Sequence, residues 1–220
     1  MIVAEQKPLE EILSAVAPYE KLLIAACGAC VTVCLSGGEA EAKNLAEKLS
    51  LSGKSCEVRA PERQCDPEFL EALDEEISAA DAVVSMACGA GVQFLAERRP
   101  RTPVLPGLNT SFIGVNRGLG YWTEMCRGCG NCVLEKTGGV CPIARCSKSH
   151  FNGPCGGSRA GKCETNPDID CAWQLIFDRL TGLGQAACLY ETLPPRDWST
   201  DRDGGPRSMK RSDIRAEAGT

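Results

Sequence analysis

The sequence predicts an α/β protein: an open parallel-sheet N-terminal domain, then a small loop-rich, cysteine-rich module at the C-terminal end. Two observations carry this reading. Between residues 21 and 105 short apolar runs alternate with helical patterns, the signature of parallel strands joined by crossover helices. Eight cysteines then fall between Cys126 and Cys171, in a stretch otherwise poor in core-forming residues. The expected divisions are an α/β domain over 8–110, a cysteine-rich module over 119–182 and a disordered or partner-ordered tail over 194–220.

Residues 8–17 read as a helix, with Pro8 at its first position and Leu9, Ile12, Leu13 and Val16 recurring at i, i+3, i+4 and i+7; Pro18 ends it. Residues 21–26, Lys-Leu-Leu-Ile-Ala-Ala, form a continuous apolar run that suits a strand buried on both faces. Cys27-Gly-Ala-Cys30-Val-Thr-Val-Cys34 follows at once, and Gly37-Gly38 opens a helical pattern that runs to Leu51 and is capped by Gly53. A second strand is expected over 55–60 and a loop over 62–65. Asp66-Pro67 then starts a helix with Phe69, Leu70, Leu73 and Ile77 on one face. The alternation repeats with a strand over 82–87, a glycine turn over 88–91, a helix over 92–99 and a last strand over 102–105. Residues 108–125 read as a linker, with 119–122 as an apolar latch. Residues 168–180 read as a helix holding Cys171 in its first turn. The tail has adjacent prolines, mixed charge and almost no apolar periodicity.

The 220 residues suffice for one ordinary core and a smaller module. A net charge of −5, from 24 basic and 29 acidic residues, leaves no electrostatic footprint for nucleic acid or an anionic membrane surface. No basic-then-apolar leader opens the sequence, and no apolar run approaches the roughly 18 residues of a membrane span. The expected location is therefore the cytoplasm, where disulfide frameworks are rare and cysteine clusters bind metal or do redox work.

The C-terminal cysteines begin as Cys126-Arg-Gly-Cys129-Gly-Asn-Cys132, a spacing that lets three thiolates of one loop face a single centre, as in bacterial ferredoxins. They continue through Cys141-Pro142, Cys146, Cys155, Cys163 and Cys171. Eight thiolates match two four-cysteine [4Fe–4S] clusters. They also match two zinc sites of four thiolates each, but the triplet is one repeat too long for a zinc knuckle and His150 is the only imidazole. The reading is thus a metal-cluster module, with iron–sulfur clusters favoured and zinc as the alternative. In ferredoxins the cysteine before a proline serves the other cluster. By that analogy Cys126, Cys129 and Cys132 take Cys171 as a distant fourth, leaving Cys141, Cys146, Cys155 and Cys163 together.

In open parallel sheets ligands bind beyond the carboxyl ends of the strands. Cys27, Cys65 and Cys88 each lie just after an expected strand, so all three should converge on one crevice. A third cluster is expected there on Cys27, Cys30 and Cys34, with Cys88 or Cys65 as fourth ligand. The alternative is that apolar strand ends carry buried thiols that behave as small hydrophobes, as expected of Cys56 and Cys188. Other chemistry finds little support. Gly89-Ala-Gly91 begins a dinucleotide fingerprint, but Phe94 occupies its third glycine position. A cysteine nucleophile would have no histidine base in this half, and His150 reads as a solvated loop residue.

The run Gly138-Gly-Val-Cys-Pro-Ile-Ala-Arg-Cys146, with Phe151-Asn-Gly-Pro-Cys-Gly-Gly157 and Gly-Lys-Cys163, resembles the MetV family. These are small subunits accompanying bacterial methylenetetrahydrofolate reductases, and the module also resembles the cysteine-rich C-terminal domain fused to some of those enzymes. The first half is similar through Cys27 to Cys34, Glu-Arg-Gln-Cys65-Asp and Ala-Cys88-Gly-Ala-Gly-Val-Gln93, so the likeness covers about residues 8–182. It implies a non-catalytic subunit that relays electrons from ferredoxin or an electron-input subunit to the flavin of a catalytic partner. FMN and folate sites would belong to that partner. The family's C-terminal domain has also been described as zinc-binding, so a zinc-stabilised structural subunit remains the alternative. An electron-transfer subunit of another cluster-dependent reductase is a third reading. The heterodisulfide-reductase type is disfavoured because its adjacent Cys-Cys pair is absent.

Overall fold

The computed structural model describes residues 1–202 and 205–209; the rest of the expected tail lies outside the described residues. The chain divides into two compact units, Met1–Glu124 and the residues from Met125 onward.

The first unit runs β1 (Ile2–Gln6), α1 (Leu9–Val16), β2 (Lys21–Ala25), α2 (Cys30–Val33), α3 (Glu39–Leu51) and β3 (Ser55–Arg59). It continues with α4 (Pro67–Glu71), α5 (Asp74–Ala79), β4 (Ala82–Ser85), α6 (Gly89–Arg98), β5 (Val104–Pro106), β6 (Leu108–Gly118) and β7 (Tyr121–Cys126). Four strands form the expected parallel sheet, in the order β3-β2-β4-β5, with Leu22 beside Cys56 on one flank and Ala82 on the other.

The two central strands are buried on both faces, and side-chain alternation divides them between two cores. Leu22, Ile24, Ala82 and Val84 pack with Ile12 and Val16 of α1 and with Ala42, Leu45 and Leu49 of α3. Leu23, Ala25 and Val83 pack on the other face with Leu70, Leu73, Ile77 and Leu95. Each fully buried Leu or Ile contributes about 1.5–3 kcal/mol relative to exposure, and Leu22 to Ala26 are all at most 2 % exposed. Asp81 registers the sheet from below, its carboxylate accepting the backbone N–H groups of Glu20 and Lys21 at 3.0 and 2.8 Å. Those bonds hold the carboxyl below its usual range.

Several sequence expectations are corrected. Residues 108–125 are not a linker: β6 and β7 join β1 in an antiparallel sheet of order β1-β6-β7. Ile2 pairs with Ile113 and Gln6 with Leu108, with an irregularity between Val3 and Ala4. Most of β6 is exposed, and its Asn, Thr, Ser and Gly residues lack the apolar alternation that marks a half-buried strand. The helix expected from Asp66 breaks at Ala72 and Leu73 into α4 and α5. Helix α6 starts at Gly89 rather than at residue 92, with Cys88 as its N-cap. Pro8 likewise caps α1 from outside rather than occupying its first turn.

The second unit is mostly loops closed around helix α7 (Ala172–Gly182), whose N-cap is Cys171. The helix therefore begins after Cys171, not at 168. Ile176 and Leu180 are its wholly buried side chains. In the region expected to be an unstructured tail, residues Trp198–Thr200 form a 3₁₀ turn. Thr200 donates through its hydroxyl to the Cys129 carbonyl at 2.9 Å.

Gly37 marks the tightest point of the first unit, because a Cβ there would lie 2.0 Å from the Met86 carbonyl oxygen and 2.9 Å from Leu108. The Met86 carbonyl cannot yield cheaply, since it is backbone just past the end of β4. Gly37→Ala is expected to cost about 1–3 kcal/mol by overpacking, read as a lowered urea midpoint with an unchanged slope.

Candidate functional site

All fifteen cysteines are free thiols. The carboxyl ends of β2, β3 and β4 bring four of the expected ligands toward one crevice. Cys27 follows β2, Cys30 opens α2, Cys65 closes the loop after β3 and Cys88 caps α6. Backbone bonds bring the loops together: Gly28 N–H donates to the Pro61 carbonyl at 3.0 Å, and Cys27 N–H to the Gly37 carbonyl at 2.9 Å. The neighbourhood registers in the pKa of Cys65, which is pushed up first by burial and then by the thiols of Cys88, Cys27 and Cys30.

Cys34 lies one helical turn beyond Cys30. It is 5 % exposed, and its thiol donates to the Ile2 carbonyl at 3.4 Å, toward β1. Burial first, and also the Cys30 thiol, raise its pKa. The single turn of α2 thus keeps Cys34 near Cys30 while its thiol bonds to β1 of the antiparallel sheet. Both candidate fourth ligands, Cys88 and Cys65, lie on the side of Cys27 and Cys30. Cys56 sits at the opposite end of the sheet, half buried on β3, and burial raises its pKa.

A side chain that sequence reading missed lies among these loops. Gln64 is fully buried, and its only advance signal is a long polar residue immediately before Cys65, in a loop with no periodicity.

In the second unit, Cys146, Cys155, Cys163 and Cys171 line one small pocket, together with Arg145, Lys148 and Trp173. This grouping contains Cys171, which the ferredoxin analogy assigned to the triplet, and lacks Cys141. The pocket's rim is held by an ion pair between Lys148 and Glu164 and by another between Lys162 and Asp170 at 2.6 Å. The Thr165 and Ser147 hydroxyls lie 3.1 and 3.5 Å from the Cys163 sulfur and, in that order, pull its pKa down to about 7.

Cys126 ends β7, and Cys129 and Cys132 lie on the loop that follows it. Gly128, in the left-handed region at φ 68°, turns its N–H onto the Cys126 sulfur at 3.3 Å. Similar amide-to-sulfur bonds reach Cys141 from Ala144 at 3.4 Å and Cys155 from Gly157 at 3.5 Å. The chain near Thr200 braces this loop. Arg196 and Thr200 both donate to the Cys129 carbonyl, and Arg196 stacks between Phe151 and Trp198. Arg127 pairs at 3.5 Å with Asp201, which is fully buried. His150 offers its backbone carbonyl to the Trp173 indole at 2.8 Å, and Cys188 lines an aromatic pocket with Phe151 and Trp173.

Among the described residues, no three His, Cys, Asp or Glu side chains stand in a metal-ligating arrangement. The donor chemistry nonetheless fits a soft centre, since each gathering brings four thiols together, with Glu164 and Asp170 also at the second, and three sulfurs receive backbone N–H groups, the outer-shell contacts that stabilise thiolate ligands. No described helix is long and apolar enough to cross a membrane.

Residues 105–199 match a family model described as the methylene-tetrahydrofolate reductase C-terminal domain. The matched segment holds all eight cysteines from Cys126 to Cys171 and stops short of Cys27, Cys30, Cys34, Cys65 and Cys88. Neither the curated proteins nor the solved structures contain a match to the chain.

With its pKa near 7, Cys163 is expected to alkylate with a pH midpoint about there in metal-free protein. Thr165→Val should move that midpoint toward the ordinary thiol value of 9.0. Peptide-resolved iodoacetamide labelling measures both; an unshifted midpoint in the variant would discount the hydroxyl.

Proposed function

We propose that the chain is an electron-transfer subunit of a methylenetetrahydrofolate reductase, relaying electrons from ferredoxin or an electron-input subunit to the flavin of a catalytic partner. The observation that carries this reading is the match of residues 105–199 to that reductase's C-terminal domain, over a segment that holds the eight cysteines from Cys126 to Cys171. A [4Fe–4S] centre, when bound, supplies reversible one-electron storage. The residues that would hold such centres are Cys146, Cys155, Cys163 and Cys171 around one pocket, and Cys126, Cys129 and Cys132 on the braced loop, with Cys141 nearby in sequence.

The chain's own contribution is to position and bias these sulfurs. Amides of Gly128, Ala144 and Gly157 donate to sulfur, offsetting its negative charge and favouring the reduced state of whatever it binds. The first unit offers a further thiol gathering for the same use.

A second reading has an observation in its favour. Beyond Glu124 the buried apolar side chains among the described residues are Ile143, Ala172, Ile176 and Leu180, so little besides cross-links can hold the loops. Structural zinc on the same thiols would serve that need and hold the catalytic partner in place without carrying electrons.

Two measurements separate the readings. Anaerobically purified protein should contain iron and acid-labile sulfide equivalent to two or three [4Fe–4S] clusters, with one such cluster per four thiols; stoichiometric zinc with negligible iron would establish the structural alternative. In the assembled complex, the double variant Cys129→Ala/Cys155→Ala should abolish reduction of the partner's flavin by the donor. It should spare folate-dependent oxidation of flavin reduced chemically. Donor-driven flavin reduction at the wild-type rate in that variant would refute the relay.

A further inference from the structure

The buried carboxamide of Gln64 touches two of the three strand ends from which the first unit's thiols depart, and its own backbone carries the third. Its Nε2 donates to the carbonyls of Ala25 and Ala26, both at 2.8 Å, at the end of β2. Its Oε1 accepts the Ser85 hydroxyl at 2.6 Å, at the end of β4. Gln64 and Ser85 are both fully buried. The bonded residues are sequence neighbours of the thiols: Ala26 precedes Cys27, Gln64 precedes Cys65, and Ser85 lies three residues before Cys88.

The surroundings leave this side chain little freedom. A Cβ at Gly91, in the first turn of α6, would lie 2.8 Å from the Ala87 Cβ and 3.0 Å from the Gln64 Cβ, so the helix closes over the carboxamide only because that position is glycine. A polar side chain buried in this way costs stability unless its hydrogen-bonding groups are satisfied. Here both donated bonds and the accepted one run to groups fixed in the parallel sheet, so the loop carrying Cys65 is positioned by the sheet rather than by its own sequence.

The geometry points to Gln64, with Ser85, as the positioning residue of the first unit's thiol site: it holds Cys65 against Cys27, Cys30 and Cys88 before any ligand is bound. This inference rests on reading those four thiols as one site. Cys34, bonded toward Ile2, is outside the group that the carboxamide organises.

The test uses the full chain, reduced and metal-free, treated with dibromobimane, which bridges only neighbouring thiols, and analysed by peptide mass spectrometry. In the wild type, Cys65 should be recovered bridged to Cys27, Cys30 or Cys88. Gln64→Met keeps the length of the side chain and removes all three bonds; it should lower the bridged fraction of Cys65 by about tenfold, since buried hydrogen bonds of this kind are individually modest but collectively decisive. The Cys27–Cys30 bridge, formed within one loop, should persist. Ser85→Ala, a milder change that serves if Gln64→Met does not fold, should give a smaller loss, and Ser85→Thr should restore the yield. Undiminished bridging of Cys65 in Gln64→Met and Ser85→Ala would overturn the positioning role. Loss of bridging in the variants, in a wild-type protein whose first unit takes up no metal, would uphold the positioning role while removing this unit from the electron-transfer reading.

Discussion

Beyond Glu124 the buried apolar side chains among the described residues are few, and a segment so poor in burial has to be closed by something other than the hydrophobic effect. Fixing the backbone of each residue costs about 1–2 kcal/mol of conformational entropy, and Ile143, Ile176 and Leu180 offset little of it. The local structure has the features that such a shortage requires. Glycines in the left-handed region, among them Gly128, Gly138, Gly153 and Gly161, turn the chain tightly enough for distant thiols to approach, and sulfurs accept backbone amides that would otherwise seek water. The braces from Arg196 and Thr200 tie the loop around Cys129 to the chain beyond α7.

The first unit solves the opposite problem. Its parallel sheet is packed with apolar side chains on both faces, and that core continues past the ends of β2 and β4 through Ala26, Cys27, Met86 and Ala87. Thiols placed there take part in the core, and the sheet fixes the starting point and direction of each loop that carries them. The resulting gathering draws on residues from Cys27 to Cys88, whereas the pocket of the second unit is built from Cys146 to Cys171.

Much of the parallel sheet was legible because its central strands β2 and β4 are short continuous apolar runs, too short for an ordinary helix. The convergence of Cys27, Cys65 and Cys88 was legible for the same reason, since strand ends of one parallel sheet share an edge. The antiparallel sheet was not, because β6 exposes most of its length and leaves no one-sided apolar pattern to detect. Nor was the direction of Cys34, which depends on where a single helical turn stops and on a strand, β1, that had itself gone unread. Gln64 was illegible for a different reason: a buried glutamine and a solvated one are written identically, and only the carbonyls and hydroxyl around it distinguish them. The grouping of Cys171 with Cys146, Cys155 and Cys163 depends on loop paths through positive-φ glycines, which spacing alone does not determine.

The different reach of the two thiol gatherings has a consequence for the order in which the chain matures. Thiols drawn from three strand ends are neighbours only after the sheet has formed, so on the proposed reading the first unit would complete its folding before capturing a ligand. Thiols within one short, apolar-poor segment have no such scaffold to wait for, and there ligand capture and folding would be a single event. On that reading a chain emerging into a compartment short of metal would become a half-finished molecule of definite anatomy: a protease-resistant first unit followed by a segment open to digestion from about Cys126 onward.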